Sequence, residues 1–238
     1  MRAHAKTFFN DSDREAIRAA VADAEKTTSG EIAIMAVNQS DSYLEAATLG
    51  AVLLAGTLGL VLEFGLTALF RAVQVWTHDA SSSTLGIIAE YADYVSLWTY
   101  IPIVFLMYFP LKALVHAIPA LKILFLGRRR IDEAVRERAL RAFYEKGLHR
   151  TRDETGILIF ISSLERKVWI LGDRGINAKI APDFWKTLAG ELAGGIRAGR
   201  GIESATRVIA RCGEELSRHF PLKPDDVNEL PDTLLTEE

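Results

Sequence analysis

The chain has 238 residues, a formal net charge of −3 and a pI near 6.0, with 49% hydrophobic and 25% charged residues. That balance excludes a nucleic-acid binder driven by overall positive charge. Its single cysteine, Cys212, excludes an intramolecular disulfide or a cysteine metal cluster and agrees with a reducing cytoplasm.

Ser12-Asp13-Arg14-Glu15 has the form of a capping box, followed by Ile17, Ala20, Val21 and Ala24 at helical spacing. Ser29-Gly30 is expected to stop that helix, and Glu31-Ile-Ala-Ile-Met-Ala-Val37, apolar on both faces, predicts a central strand. The first ten residues lack the apolar core of a signal peptide, so the domain is expected not to be exported.

Residues 46–70 and 94–115 are apolar, with no charge in 46–62 or 94–111. A helix crosses a hydrocarbon core of about 30 Å with roughly 20 such residues, so two transmembrane spans are expected. They form a hairpin that returns the chain to its starting side. Pro110 and Lys112 are expected to end or kink the second span, leaving 114–126 at the interface. Arg128, Arg129 and Arg130 follow it, and Arg2, Lys6, Arg14, Arg18 and Lys26 precede the first, while the connection carries Arg71 against Asp79, Glu90 and Asp93. The positive-inside rule then places both termini and the domain in the cytoplasm, with the short connection outside.

Ile131, Val135, Ala139, Ala142 and Phe143 form a helical stripe closed by Gly147. Two strands, over 156–162 and 168–171, are joined by a link short enough to require a hairpin. Gly172-Asp173-Arg174-Gly175 is a turn, Pro182 starts a helix bearing Trp185, Leu188, Leu192 and Ile196, and a last helix carries Ile202 to Leu216. The tail, 221–238, is rich in proline and acids and is expected to be extended or disordered. The fold class is α/β: a small mixed sheet flanked by helices in a two- or three-layer sandwich, interrupted by a transmembrane hairpin. The domain is split as 1–45 and 128–220 around the insert 46–127.

Thr28-Ser29-Gly30-Glu31-Ile32, Thr155-Gly156-Ile157-Leu158-Ile159, Glu165-Arg166-Lys167-Val168 and Gly172-Asp173-Arg174-Gly175-Ile176, with Trp185 and His219-Phe220-Pro221 beyond, occur in an order that resembles the TPM domain family. The tail Asn228-Glu229-Leu230-Pro231-Asp232 is similar to that of bacterial relatives with a membrane hairpin. The resemblance implies a TPM-like sandwich, and either phosphatase activity or binding of calcium or another divalent cation.

The residues themselves offer few parts for such chemistry. Cys212 and Arg218 have the Cys-x5-Arg spacing of cysteine phosphatases, but they fall on a helix with Glu214 and Glu215 between them, so a core thiol and a solvated arginine are expected. No His-x-x-x-His pair occurs. The candidate metal ligands are Asp173, exposed in a glycine-flanked turn, and Glu31 at the start of the first strand; the competing reading makes Asp173 a cap of its turn. Gly172-x-x-Gly175 lacks the full phosphate-binding pattern, and Gly190, Gly194 and Gly195 are expected to permit close helix packing. Arg128, Arg129 and Arg130 are candidates for anionic headgroups at the membrane surface. The expected function is a non-enzymatic scaffold or accessory protein whose partners are the bilayer and another protein, not nucleic acid. The alternatives are a metal-dependent phosphate-ester hydrolase and transport through the spans with Glu63 as polar handle.

Overall fold

The computed structural model describes residues 9–77, 83–224, 229 and 233–237, with side chains described outside 70–71, 73–98 and 237. Arg2, Lys6, the charged side chains of the connection, and Asn228, Leu230, Pro231 and Asp232 of the tail motif lie outside the described residues. Two compact units are present, one formed by Met1–Ser42 with Arg128–Glu238 and the other by Tyr43–Gly127.

In the first unit, α1 (Asp11–Glu25) begins at an N-cap two residues before the one expected. Asn10 accepts a hydrogen bond from the backbone N–H of Asp13, and the Asp13 carboxylate accepts one from the N–H of Asn10. Asparagine outcompetes Ser12 because its carbonyl accepts while its extended backbone leads the chain in. The helix also ends at Glu25, earlier than Ser29-Gly30 implied. The residues gained close another contact: Thr28 forms a bridge with Pro221, and its hydroxyl donates to the carbonyl of Phe220 at 2.6 Å.

Strand β1 (Glu31–Val37) pairs in parallel with β2 (Gly156–Ser162) over all seven residues, from Glu31 opposite Gly156 to Val37 opposite Ser162. β2 pairs antiparallel with β3 (Lys167–Gly172). The tail departs from expectation at its end, where β4 (Leu235–Glu237) lies parallel to Met35, Ala36 and Val37, giving the order β3-β2-β1-β4. Leu234 anchors it in the core. One apolar side chain and three backbone pairs hold this short strand where composition alone indicated only extended chain.

The period of two along each strand divides the sheet's faces. Ile32, Ile34 and Ala36, with Ile157, Ile159, Ile161 and Ile170, join one core with Ile17 and Val21 of α1. The same core takes Trp185, Leu188 and Leu192 of α7 (Pro182–Arg197) and Val208, Ile209 and Leu216 of α8 (Gly201–His219). Ala33, Met35, Leu158 and Phe160 are buried on the other face, where α5 (Arg128–Glu145) packs along β2 and β3 and buries Ile131, Val135, Ala139 and Phe143. The sandwich therefore has three layers. Removing each such isoleucine or leucine from water contributes roughly 1.5–3 kcal/mol.

A parallel pair requires a crossover, because the chain leaves β1 at one end of the sheet and enters β2 at the other. Helix α5 makes that crossover, and a 3-10 turn at Leu148–Arg150 leads into β2. The second unit is inserted in the loop between β1 and α5. It comprises α2 (Leu44–Thr77), α3 (Ser83–Ala117) and the short α4 (Pro119–Leu124). Within it, Leu44–Leu69 and Thr99–Ala117 are long and apolar enough to cross a membrane. The second stretch continues as helix through Pro102 and Pro110 to Ala117, so of the end or kink expected at Pro110 it does not show the end. A buried stripe of small residues on α2, Ala47, Ala51, Ala55 and Gly59, faces inward. The backbone of Gly59 lies so close to α3 that a Cβ there would sit 2.8 Å from Val104, the close approach that small residues allow between apolar helices.

Gly156→Ala is expected to cost more than about 2 kcal/mol, because its Cβ would fall 2.3 Å from the backbone oxygen of Leu148. Gly190→Ala, in the interior of α7 with nothing within 4 Å of the new Cβ, is expected to gain up to about 1 kcal/mol. Denaturant titration of the detergent-solubilised chain checks both, and equal effects would contradict this packing.

Candidate functional site

One end of the sheet gathers the residues singled out as metal ligands. Glu31 opens β1, opposite Gly156, and the backbone N–H of Asp173 donates to the Gly156 carbonyl at 2.9 Å. The two acids thus stand on either side of β2, two strand spacings or about 10 Å apart at the backbone. The Leu148 carbonyl occupies the space that a side chain on Gly156 would need between them. Glu31 is buried, and its Oε1 accepts from the N–H of Glu229 at 3.0 Å.

Asp173 is the N-cap of the four-residue helix α6 (Arg174–Asn177), with Oδ1 accepting from the Arg174 N–H at 2.7 Å. The glycine-flanked turn opens a helix directly after Asp173, but one of a single turn. The second Asp173 oxygen, Oδ2, is buried and accepts no hydrogen bond among the described residues. The nearby acids are engaged elsewhere: Lys223 pairs with Asp153 at 2.5 Å and Arg174 with Glu154 at 3.6 Å. A hard cation wants six to eight oxygens around one point. Among the described residues no group of three or more His, Cys, Asp or Glu is assembled to hold one.

Cys212 lies fully buried on α8, and burial pushes its thiol pKa up to about 12. Arg218 points away to Glu215 at 2.9 Å. A protonated thiol within a bonded helix supplies neither nucleophile nor phosphate cradle. Of the three α7 glycines, Gly195 alone serves close packing, since a Cβ there would meet the Ser204 hydroxyl; Gly190 and Gly194 face open space.

The opposite end of the sheet holds a cluster that sequence reasoning missed. The Ser40 hydroxyl donates to Ser162 Oγ at 2.8 Å, Ser162 donates to Glu165 Oε2, and the Ser40 backbone N–H donates to Glu165 Oε1 at 2.8 Å. Ser162 and Glu165 are both buried. Ser163 and Leu164 donate backbone bonds to the carbonyls of Val37 and Asn38 at 3.1 and 2.9 Å. Together these fasten the segment leaving β1 to the β2–β3 turn. The available signal was Glu165 itself, an acid three residues beyond an apolar strand, within the short link of the hairpin.

Beside this cluster the two ends of the interrupted loop meet. Arg130, in the first turn of α5, donates to Asp41 at 2.5 Å. Partial burial works against the Asp41 carboxylate, but hydrogen bonds from Arg130 and Ser42 and the guanidinium charge outweigh it and hold the pKa below the ordinary value. Lys167 at the start of β3 pairs with Asp132 of α5. Arg128 and Arg129 are exposed, Arg129 pairing with Glu133 at 2.9 Å. Three cations in the first turn oppose the helix dipole, at roughly 0.3–1 kcal/mol each, so helix stability does not account for them. In the hairpin unit, Thr99 donates to Glu63 at 3.4 Å.

With this geometry described, comparison with known proteins gives a class. The fold is similar to that of a solved structure: the NMR structure of BA42 protein from the psychrophilic bacterium Bizionia argentinensis superposes with a TM-score of 0.54 over 97% of this chain and 96% of that one, at 20% identity. Residues 114–212 match the model of the TPM domain. None of the curated proteins matches it.

If Asp173 is a cap, Asp173→Asn should leave stability within a few tenths of a kcal/mol, and Asp173→Ala should cost about 1 kcal/mol. Asparagine as damaging as alanine when calcium is added, measured by thermal unfolding, would instead indicate a cation ligand. The half-exposed Arg130–Asp41 pair contributes no more than about 1 kcal/mol. Because the folded pKa of Asp41 lies below 3.8, that contribution is present above this pH and is lost as pH falls through the lower folded value. The stability difference between wild type and Asp41→Asn should therefore be constant near neutrality and vanish in acid.

Proposed function

We propose that this chain is a TPM domain protein anchored in the membrane by its hairpin and that its α/β domain serves at the cytoplasmic face as a non-enzymatic docking platform for another protein. The observation carrying this reading is the exposed apolar surface of the inserted unit. Only 22% of the first candidate span and 6% of the second is buried, and Val61, Phe64, Leu69, Phe105 and Leu106 all stand open. A core helix of a water-soluble protein would be covered. Intramembrane burial removes this surface from water, and an even number of spans lets the two halves of the domain meet on one side.

The cations flanking the hairpin at Arg128, Arg129 and Arg130 support cytoplasmic sidedness. The platform reading is favoured by where polar chemistry is spent. The buried serine and glutamate groups bond to one another and to backbone, and Cys212 is a core thiol.

Alkaline carbonate extraction of membranes from cells making the full chain should leave it in the pellet. A C-terminal epitope should resist protease in right-side-out vesicles until they are permeabilised. Release into the carbonate supernatant would overturn anchoring, and digestion without permeabilisation would overturn the sidedness. Purification in mild detergent should retain a stoichiometric protein partner.

A further inference from the structure

The hairpin leaves and rejoins the domain at one end of the sheet, and three separate segments place cations there. The first turn of α5 supplies Arg128, Arg129 and Arg130, the start of β3 supplies Lys167, and the tip of the β2–β3 turn supplies Arg166. Their common location follows from contacts within the domain: Arg130 reaches Asp41 beyond β1, and Lys167 reaches Asp132 on α5. Arg166 is exposed at a left-handed φ of 53°, a conformation that costs a non-glycine residue energy and marks the turn's apex.

Among the described side chains of this unit, the carboxylates facing this end are accounted for. Asp41, Asp132 and Glu133 pair with Arg130, Lys167 and Arg129, and Glu165 is buried against Ser40 and Ser162. Among the described residues no ion pair engages Arg128 or Arg166. Two uncompensated guanidinium groups therefore stand on different segments at the end of the domain tethered within a few residues of the hairpin.

We propose that Arg166 and Arg128 form a headgroup-binding rim for anionic phospholipid, with the β2–β3 turn as a second point of membrane contact. This inference rests on the anchored reading above. A guanidinium fork matches the phosphodiester oxygens, and a domain tethered at Ser42 and Arg128 presents both groups to lipid at high effective concentration. The paired cations add a shallow positive field, and the unpaired ones make the contacts. The partner is the headgroup of an anionic lipid, because this end of the sheet is joined through Ser42 and Arg128 directly to the apolar hairpin.

The test uses the full chain reconstituted in phosphatidylcholine vesicles, with trace spin-labelled phosphatidylglycerol or spin-labelled phosphatidylcholine. The motionally restricted fraction of each label gives its relative association with the protein. Wild type should select phosphatidylglycerol, and Arg166→Gln should reduce that selectivity by up to about fivefold at low salt, with Arg166→Lys restoring much of it. Arg128→Gln should act in the same direction. Arg218→Gln, near the opposite end of the sheet, should change nothing. Undiminished selectivity in Arg166→Gln, or an equal loss in Arg218→Gln, would overturn the rim. The absence of a restricted component for either label would instead overturn anchoring itself.

Discussion

Everything in the α/β unit depends on one interaction, the parallel ladder that joins Glu31–Val37 to Gly156–Ser162 across more than a hundred intervening residues. Closing so long a loop costs chain entropy, although the cost grows only with the logarithm of its length. The ladder offsets it by burying both strands on both faces, so neither half of the domain has a core without the other. That requirement also constrains the insert. A single span would carry α5 and β2 to the wrong side of a membrane, whereas a hairpin returns the chain to where the crossover helix must begin. The Arg130–Asp41 contact and the Glu165 cluster hold together the ends of the loop that the hairpin opened.

The strongest apolar runs were legible because their pattern and environment coincide. β1 and β2 are buried on both faces and read as continuous hydrophobic segments, and Pro182 marks the first turn of α7 because a missing N–H costs nothing there. Other features depend on distant partners. The strand at Leu235–Glu237 exists because the edge of β1 receives it and Leu234 finds the core. The capping Asn10 was masked in the sequence by Ser12, two residues on, which offers an equally plausible local pattern. In the hairpin, the helix continues through Pro110 because local turn adjustment and neighbouring groups accommodate the lost donor.

The candidate site shows the same division. The buried thiol of Cys212 and the capping role of Asp173 follow from local chemistry, one from an apolar helical face and the other from a strand-to-helix turn. Whether Glu31 and Asp173 meet could not be read locally, because the answer lies in the register: Gly156 stands between them and the Leu148 carbonyl fills its side-chain space. The Ser40–Ser162–Glu165 cluster spans residues far apart in sequence and became visible only once β1 and β2 were aligned. Its position beside the hairpin attachments connects the fold to the proposed function, since it fixes the domain's tethered end.

Hydrogen exchange followed by mass spectrometry on the full-length protein in bilayer nanodiscs tests the central claim most directly. If the halves form one cooperative domain, the amides of β1 and β2 should be among the slowest to exchange and should open together, with the same dependence on added denaturant. Slow exchange in β2 with rapid, independent exchange in β1 would show that the ladder across the hairpin is not what holds the domain together.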